Sequence, residues 1–274
     1  IGATIEELGD KVPATLQPGM VVTVNPYTNC GKCASCRNRR FNACEHNETL
    51  GVQRNGSMSD YLVVPWEKII PAPGISPRDC ALIEPMSVGF HAVSNGCVTD
   101  IDVVMVIGCG MVGMGAIIRA ALRGATVVAV DLDDEKLALA REVGATYTIN
   151  SLKENVHQRL QEITNGFGVD VVIEAVGSPA TYTLAIDEVS FTGRVVFIGY
   201  AKTEIAFQTK LFVQKELTIR GSREDFRAVI QYLSRNDFPY DKFISRVTAP
   251  EQALEAMQEW AAAPQKVFRI LVGF

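Results

Sequence analysis

The first third of the chain contains short apolar runs separated by turn-forming residues. Runs at residues 21–24, 59–64 and 68–70 are mostly apolar or β-branched, and Gly, Pro and Asn interrupt the segments between them. Short runs of this kind, bounded by turn residues, are typical of strands. The pattern therefore predicts an irregular, mostly antiparallel, β-rich region before about residue 95.

From about residue 95 onward the pattern changes to an alternation of strands and helices. The run at residues 103–107 is apolar throughout, as expected of a strand buried on both faces. Further strands are predicted at residues 126–130, 147–149, 169–174, 194–198, 217–220 and 267–272, and helices at residues 111–123, 135–143, 156–164, 180–189, 225–234 and 252–262. Such alternation is typical of a parallel sheet with helices on both faces. The predicted fold class is α/β, with a doubly wound parallel sheet and a second, mostly antiparallel β-rich domain.

The change of pattern also predicts the domain organisation. We expect residues 96–244 to form the doubly wound domain and residues 1–95 to form most of the β-rich domain. The run that begins at residue 249 lies beyond the elements that a six-stranded doubly wound sheet needs. We therefore expect residues 245–274 to return to the first domain.

Composition and charge exclude several classes of protein. The 274 residues are 47% hydrophobic and 21% charged, which is ordinary for a globular protein and argues against disorder. The net charge of −5 and the lack of a strongly basic block argue against nucleic acid as a partner. The longest uncharged stretch, residues 103–118, is short for a membrane span and contains four glycines. We therefore expect no membrane segment. The close spacing of four cysteines in a chain of this size favours an intracellular metal site over disulfides, so we expect a cytoplasmic protein.

Four of the seven cysteines form a compact motif with the spacing C-x2-C-x2-C-x7-C. Four thiolates at such separations can close a tetrahedron around Zn2+, and a site without an open position is structural. An iron–sulfur cluster is an alternative, because C-x2-C-x2-C also begins ferredoxin motifs. Free cysteines in a loop are the other alternative. The candidate metal ligands are Cys30, Cys33, Cys36 and Cys44.

A glycine motif follows the strand predicted at residues 103–107. The sequence GCGMVG at residues 108–113 fits G-x-G-x-x-G and opens a predicted helix, which is the context that dinucleotide binding requires. The first glycine permits a tight turn, the second lets a pyrophosphate approach the backbone, and the third lets helix and strand pack closely. The alternative is a tight turn without a ligand. The candidate cofactor-binding residues of this motif are Gly108, Gly110, Met111, Val112 and Gly113.

An acidic residue ends the next predicted strand. Asp131 lies 21 residues after Gly110, where a carboxylate would accept hydrogen bonds from the ribose hydroxyls and repel a 2′-phosphate. This position favours NAD over NADP and predicts a Rossmann domain. A plain helix N-cap is the alternative role of Asp131. Leu132 is its neighbour in the candidate site, and Lys136 could reach the adenosine ribose from the following helix.

Two further strand ends should line the same crevice, because ligands of open α/β sheets bind outside the carboxyl ends of the strands. Simple loop glycines are the alternative explanation of these turns. The candidate cofactor-binding residues at these ends are Ala175, Val176, Ile198 and Gly199.

The cysteine motif followed by the glycine motif resembles the zinc-containing medium-chain dehydrogenases. The segment LIEPMSVG at residues 82–89 is similar to the Glu-Pro segment of sorbitol, polyol and sugar-acid dehydrogenases. Residues 56–61, 143–145, 215–217 and 221–223 also match this family. The resemblance covers essentially the whole chain and implies a Rossmann domain joined to a GroES-like catalytic domain with a zinc lobe.

The resemblance implies roles for three further residues. Glu84 stands where the alcohol dehydrogenase branch has a cysteine zinc ligand, so it would bind a catalytic zinc or hold a zinc-bound water. An ion pair or a cap at a helix start is the alternative for Glu84. Val88 would pack on the nicotinamide, with an ordinary core position as its alternative. Arg223 would touch the substrate or the nicotinamide end, with a solvated strand end as its alternative.

The family places its other catalytic zinc ligands in an N-terminal segment, as a Cys and as a His-Glu pair after Ile-Gly. Here the opening Ile-Gly is followed at once by Ala3, no Cys precedes residue 30 and no His precedes residue 46. Relatives also carry a few more residues between Arg223 and Glu224. We therefore expect a longer natural chain, with residues before Ala3 and after Arg223 that this sequence does not contain.

The resemblance implies hydride transfer between NAD and a secondary alcohol of a polyol or sugar acid, with a zinc ion that polarises the alcohol oxygen. A threonine-dehydrogenase-like activity shares every motif described above and stays open. A non-catalytic dinucleotide-binding protein, such as a redox sensor or regulator, is the alternative from another class. The intact cysteine motif argues against a quinone-oxidoreductase-like relative without zinc.

The family also implies self-association. Strand-rich segments such as residues 193–207 and 211–220 pair across a dimer axis in these proteins. We therefore expect a homodimer or a homotetramer.

Overall fold

The structure is a computed structural model that describes residues 1–223, 226–235 and 237–274. The chain separates into two compact units. Unit 1 comprises Ile1–Glu84 and Phe226–Phe274, and unit 2 comprises Pro85–Asp225. The break expected after Arg223, and the first residue of the helix predicted at residues 225–234, lie outside the described residues.

The strands are β1 (Gly2–Thr4), β2 (Val21–Val24), β3 (Ile69–Pro71), β4 (Val103–Ile107), β5 (Thr126–Asp131), β6 (Tyr147–Asn150), β7 (Val169–Glu174), β8 (Val189–Phe197), β9 (Thr218–Gly221), β10 (Arg246–Thr248) and β11 (Ile270–Val272). The helices are α1 (Ala34–Arg37), α2 (Pro77–Cys80), α3 (Ile83–Asn95), α4 (Met111–Leu122), α5 (Asp134–Glu142), α6 (Val156–Thr164), α7 (Pro179–Glu188), α8 (Thr209–Gln214), α9 (Phe226–Leu233), α10 (Tyr240–Phe243) and α11 (Ala253–Ala262). Single 3-10 turns occupy Phe41–Ala43, Trp66–Lys68, Pro250–Gln252 and Pro264–Lys266.

Unit 2 is built on a parallel sheet of six strands in the order β6-β5-β4-β7-β8-β9. The strand order reverses at β4, as in a doubly wound nucleotide-binding sheet. Side chains from β4, β5 and β7, among them Met105, Val128 and Val172, are fully buried in its core. The apolar strands of the sequence are therefore explained by burial on both faces. The predicted α/β fold with a doubly wound parallel sheet is confirmed.

Glycine permits a close approach between α3 and α4 in unit 2. A Cβ atom on Gly89 would lie 2.2 Å from the carbonyl oxygen of Val112. A Cβ atom on Gly115 would lie 2.4 Å from the carbonyl oxygen of Met86. Side chains at these two positions would force the helices apart, so α3 belongs with the six-stranded sheet along most of its length.

The units divide at Glu84/Pro85 and at Asp225/Phe226, and not after residues 95 and 244 as the pattern predicts. The first difference follows from the packing of α3 on α4, which draws the helix into unit 2. The second follows from α9 and α10, which lie in unit 1. Phe238, which lies between these helices in the chain, stacks on Phe243 of α10 with the ring centroids 4.9 Å apart.

Unit 1 contains the β-rich part of the chain. β1, β2 and β3 form an antiparallel sheet with β2 in the centre. β10 and β11 pair in parallel beside α11. The prediction of a mostly antiparallel region in the first third of the chain is confirmed, and the chain's last segments lie in the same unit.

One predicted strand, at residues 59–64, is absent, and the segment expected to be strand-rich at residues 211–220 is so only at its end, where β9 matches the strand predicted at residues 217–220. Residues 59–64 belong to no strand, and within this segment Tyr61 and Val63 are exposed. An extended run becomes a strand only where another strand satisfies its backbone groups, and no described residue pairs with this one. Residues 211–220 begin in α8, and only Thr218–Gly221 forms a strand. Phe212 of this helix packs on the core of unit 2, so packing outweighs its β-propensity there.

The uncharged stretch at residues 103–118 divides into a strand, a glycine turn and a helix. It comprises β4, the turn at Gly108 and the first two turns of α4. None of the described helices combines the length and the apolar character that crossing a membrane would require.

Candidate functional site

The four cysteines at residues 30–44, here called the cysteine lobe, converge in unit 1. Their Sγ atoms all lie within 4.8 Å of one another, and those of Cys33 and Cys44 are 3.9 Å apart. Cys33 is the N-cap of α1 and Cys36 lies within it, so one helical turn directs both thiols inward. The thiols of Cys33, Cys36 and Cys44 belong to buried residues.

Hydrogen bonds and burial shift the pKa values of the lobe thiols in opposite directions. The backbone N–H of Cys30 donates to Cys44 Sγ, and that of Cys33 donates to Cys30 Sγ, both at 3.3 Å. A hydrogen bond with Ser35, with help from backbone N–H groups, lowers the pKa of Cys33 to about 5. Burial and the neighbouring thiols raise the pKa of Cys36 to about 12. Four thiolates this close would repel one another, so a bound cation would be what holds them deprotonated together.

The lobe fits a single zinc ion. Zn–S bonds of about 2.3 Å in a tetrahedron place the sulfur atoms about 3.8 Å apart, close to the distance between Cys33 Sγ and Cys44 Sγ. An iron–sulfur cluster would distribute the ligands over several irons and hold them farther apart. Within residues 1–223, 226–235 and 237–274, these cysteines are the one group of three or more potential ligands that converge. With four protein ligands, the site suits a structural ion.

The glycine motif forms an open cradle between β4 and α4. Gly108 has a φ of +94°, which a side chain would disfavour. A Cβ on Gly113 would lie 1.7 Å from the carbonyl oxygen of Gly108, so this turn requires glycine. Gly110 is the N-cap of α4, and a Cβ there would meet nothing within 4 Å. The cradle fits a pyrophosphate, because the first N–H groups of α4, which starts with Met111 and Val112, are available to an anion.

Asp131 lies beside this cradle at the end of β5. Its carboxylate accepts hydrogen bonds from the backbone N–H groups of Cys109 at 2.6 Å, Leu132 at 2.7 Å and Asp133 at 3.0 Å. The N-cap of α5 is Asp133, whose side chain accepts from two N–H groups of the first turn. The simple capping role considered for Asp131 is therefore wrong. A carboxylate has about four acceptor sites, so Asp131 can still accept from ribose hydroxyls.

Two other predicted contacts lie near Asp131. Leu132 is exposed, whereas Lys136 is buried in the first turn of α5. Burial and the charge of Asp131 raise the pKa of the Cys109 thiol, and Lys136 acts in the opposite direction. Both charged groups therefore lie close to the glycine turn.

The turns after β7 and β8 meet at the same edge of the sheet. A Cβ on Gly199 would lie 2.2 Å from the backbone nitrogen of Gly177, so the turn that contains Ala175 and Val176 contacts the turn that begins at Ile198. The structure thus brings the two predicted strand ends together. Their roles as cofactor contacts stay predictions.

Sequence reasoning missed a buried carboxylate at this edge. Glu174, the last residue of β7, has no exposed surface. Its Oε1 accepts hydrogen bonds from the backbone N–H groups of Val176 at 2.9 Å and Gly177 at 2.8 Å. The sequence feature that could have revealed Glu174 is an acidic residue at the end of an apolar strand, which is the same feature that pointed to Asp131.

Glu84 lies in the first turn of α3 and is half-buried. The hydroxyl of Tyr27 donates a hydrogen bond to Glu84 Oε1 at 2.8 Å. Burial lowers the pKa of Arg269 and the charge of Glu84 raises it, so this guanidinium lies near the carboxylate. Neither Tyr27 nor Arg269 is part of a recognisable motif, and sequence reasoning missed both. The role of Glu84 as a metal ligand stays a prediction.

The two remaining predicted residues lie in unit 2. Val88 is half-buried in α3, next to the close contact of Gly89 with α4. Arg223 is half-buried, two residues beyond the end of β9. Their roles toward the nicotinamide and the substrate stay predictions.

Family comparisons agree with this architecture. Residues 1–74 match the alcohol dehydrogenase GroES-like domain, and residues 112–235 match the zinc-binding dehydrogenase domain. The chain is 33% identical over 224 residues to a sorbitol dehydrogenase of Halalkalibacterium halodurans, covering 80% of this chain and 65% of that enzyme. It is 33% identical over 240 residues to the L-galactonate-5-dehydrogenase of Escherichia coli K12, covering 85% of this chain and 69% of that enzyme. An L-threonine 3-dehydrogenase of Caldanaerobacter subterraneus is 32% identical over 79% of this chain and 63% of its own length.

Solved structures resemble the whole chain. An alcohol dehydrogenase from Escherichia coli CFT073 in complex with NADH has a TM-score of 0.90 and 25% identity, over 100% of this chain and 82% of that one. A zinc-binding dehydrogenase from Sinorhizobium meliloti 1021, bound to NADP, has a TM-score of 0.90 and 27% identity. The match covers 99% of this chain and 81% of that one. These similar proteins therefore include both an NADH complex and an NADP complex.

Proposed function

We propose, because this chain belongs to the zinc-containing medium-chain dehydrogenase family, that it acts as an NAD-dependent oxidoreductase on a secondary alcohol of a polyol or sugar acid. The observation that carries the proposal is the contact between the glycine cradle and Asp131, whose carboxylate accepts from Cys109 N–H at 2.6 Å. A site for an anion beside a site for a ribose is what a dinucleotide requires.

The charge of Asp131 supports NAD over NADP. Its carboxylate would repel a 2′-phosphate on the adenosine ribose. The nearby Lys136 would offset part of that repulsion, so the size of the preference depends on both charges. Because similar proteins bind either form, Asp131→Ser is the informative variant. We expect it to weaken NADH binding and to strengthen NADPH binding relative to NADH by about tenfold or more. An unchanged NADPH/NADH ratio would argue against the assignment.

When bound, a catalytic zinc would supply Lewis-acid polarisation of the alcohol, and NAD would accept the hydride. The chain's own contribution is position and charge. Glu84 would offer a carboxylate oxygen to the metal or to a group beside it, with Tyr27 fixing the orientation of its other oxygen. Val88 would present an apolar surface to the nicotinamide, and Arg223 would offer a guanidinium to a hydroxyl or carboxylate of the substrate.

The substrate class rests on the relatives. Sorbitol and L-galactonate dehydrogenases support a polyol or a sugar acid. The L-threonine 3-dehydrogenase at 32% identity supports a second candidate, oxidation of a 2-amino-3-hydroxy acid. Both substrate classes share a secondary alcohol flanked by polar groups, and only a substrate panel separates them.

The test combines metal analysis of the full-length protein with NADH formation from polyols, aldonates and L-threonine. Two zinc ions per chain and turnover with one substrate class are the expected result. One zinc ion, retained NADH binding and no turnover would contradict the proposal and favour a redox sensor or regulator.

We also propose that the protein forms a homodimer or homotetramer. β9 is the edge strand of the six-stranded sheet, and all four of its residues are exposed. An edge strand presents unpaired backbone groups that a second copy could satisfy. Sedimentation equilibrium should therefore give a mass of at least two chains, and a purely monomeric profile would contradict this.

A further inference from the structure

Glu174 is a buried carboxylate whose charge is only partly satisfied. Its Oε1 accepts from two backbone N–H groups, but Oε2 is buried and has no hydrogen-bond partner among the described residues. No ion pair joins Glu174 to a lysine, arginine or histidine in the part of the chain that the structure describes. A buried charge without a cation is costly, so such a group calls for an explanation beyond packing.

The charge of Glu174 acts on a neighbouring tyrosine, Tyr182. Tyr182 of α7 stacks on Phe197 and donates a hydrogen bond to the carbonyl oxygen of Gly199 at 2.6 Å. Burial raises the pKa of the Tyr182 phenol, and the charge of Glu174 raises it further. The field of the carboxylate therefore extends across the turns that follow β7 and β8.

The sheet topology places Glu174 on a particular side of the cradle. Glu174 pairs in register with Ile107, the residue before Gly108. β5, with Asp131, lies on the other side of β4. A dinucleotide with its adenosine ribose at Asp131 and its pyrophosphate at the cradle extends its second half toward β7 and β8, because it crosses the sheet where the strand order reverses.

That second half carries the group whose charge changes in the reaction. The nicotinamide ring is a cation in NAD+ and neutral in NADH, whereas the rest of the cofactor keeps its charge. A buried negative charge on this side attracts the oxidised ring and has little effect on the reduced one, and low local dielectric strengthens the attraction.

We propose that Glu174 sets the relative affinity of the protein for oxidised and reduced cofactor, by favouring NAD+ over NADH through its buried charge. This inference rests on the proposed dinucleotide-binding function. It makes Glu174 a specificity-determining residue for the redox state of the cofactor. In a dehydrogenase working in the oxidative direction, such a charge would ease the release of NADH relative to NAD+.

Glu174→Gln separates charge from shape, because the amide oxygen can still accept from the N–H groups of Val176 and Gly177. The experiment measures dissociation constants on the full-length protein, for NADH by its fluorescence and for NAD+ by competition. ADP-ribose, which lacks the nicotinamide, serves as the third ligand. We expect Glu174→Gln to raise the dissociation constant for NAD+ by about three- to tenfold. The dissociation constants for NADH and ADP-ribose should change by less than about twofold.

The matched control is Asp187→Asn, which makes the same change in net charge at an exposed position of α7. It should leave the ratio of the NAD+ and NADH constants unchanged. Glu174→Asp keeps the charge on a shorter side chain and should retain the NAD+ preference even if Glu174→Gln fails to fold.

The outcomes are distinct. An equal loss of affinity for NAD+, NADH and ADP-ribose in Glu174→Gln would mean that the residue only shapes the turn, and would overturn the proposal. A ratio that shifts as much in Glu174→Asp as in Glu174→Gln would overturn it as well. If the unaltered protein bound none of the three ligands, the proposed function itself would fail, and this inference with it.

Discussion

The hydroxyl of Tyr27 donates a hydrogen bond to Glu84 Oε1 at 2.8 Å, which joins two residues 57 positions apart in the chain. Tyr27 precedes the cysteine lobe by three residues, and Glu84 lies in the first turn of α3. The backbone around Tyr27 is held in turn, since its N–H donates to Asn25 Oδ1 at 3.0 Å and that of Thr28 donates to Asn47 Oδ1 at 3.1 Å. These backbone contacts hold the segment that carries Tyr27, and Tyr27 in turn helps to fix the orientation of the Glu84 carboxylate.

A double-mutant cycle tests this link. Tyr27→Phe and Glu84→Gln should each lower the free energy of unfolding. Their effects should be less than additive by about 1–2 kcal/mol, because a partly buried hydrogen bond to a charged acceptor is worth about that much. Denaturant unfolding of the two single variants and the double variant gives the coupling. Fully additive effects would show that the two side chains act independently.

Loss of one lobe cysteine should release the structural metal. Cys36→Ser leaves three thiols around the site, so we expect the protein to lose about one zinc per chain and to melt roughly 5–15 °C lower. Metal analysis and thermal unfolding measure both effects. Cys97→Ser, at an exposed cysteine outside the lobe, should keep both values. Full zinc content in Cys36→Ser would exclude the four-thiolate site.

Two glycines of the cradle should respond differently to alanine. A Cβ on Gly113 would meet the carbonyl oxygen of Gly108 at 1.7 Å, so Gly113→Ala should destabilise the fold by about 2 kcal/mol or more. A Cβ on Gly110 meets nothing within 4 Å in the protein, so Gly110→Ala should fold normally. It should nevertheless weaken NADH binding by about tenfold or more, because the methyl group occupies the space meant for the pyrophosphate. Melting temperatures and NADH fluorescence titrations separate these effects. Tight NADH binding by Gly110→Ala would place the cofactor elsewhere.

Alkaline pH should destabilise unit 1 through a buried thiol. Burial raises the pKa of Cys80 from its usual value of 9.0 to about 11. Between these values the unfolded chain loses a proton that the folded chain keeps, so the contribution of Cys80 is complete below pH 9 and is lost as pH rises toward 11. We expect a decrease in the free energy of unfolding on the order of 2 kcal/mol over this window. Cys80→Ala should show a smaller decrease, and an identical pH profile in both proteins would contradict the assignment.

Local pattern predicts most of unit 2 because its central strands β4, β5 and β7 are largely buried on both faces and because Gly124 and Gly144 follow the ends of α4 and α5. The predicted helix at residues 156–164 and the predicted strand at residues 169–174 coincide with α6 and β7. The segment at residues 59–64 has an equally good strand pattern but forms no strand. Strand formation requires a neighbouring strand to pair with, and the pattern of residues along the chain does not specify which strand that is.

The sequence by itself determined the cysteine lobe, the glycine cradle and Asp131, because each follows from spacing within one short segment or from the end of a single strand. Only the tertiary structure decided which distant groups act on one another. It brought Tyr27 and Arg269 to Glu84, from opposite ends of unit 1. It also buried Glu174 without a cation at the edge of the sheet. The physical reason is that short-range spacing fixes local backbone geometry, whereas burial and charge depend on every element packed around a residue.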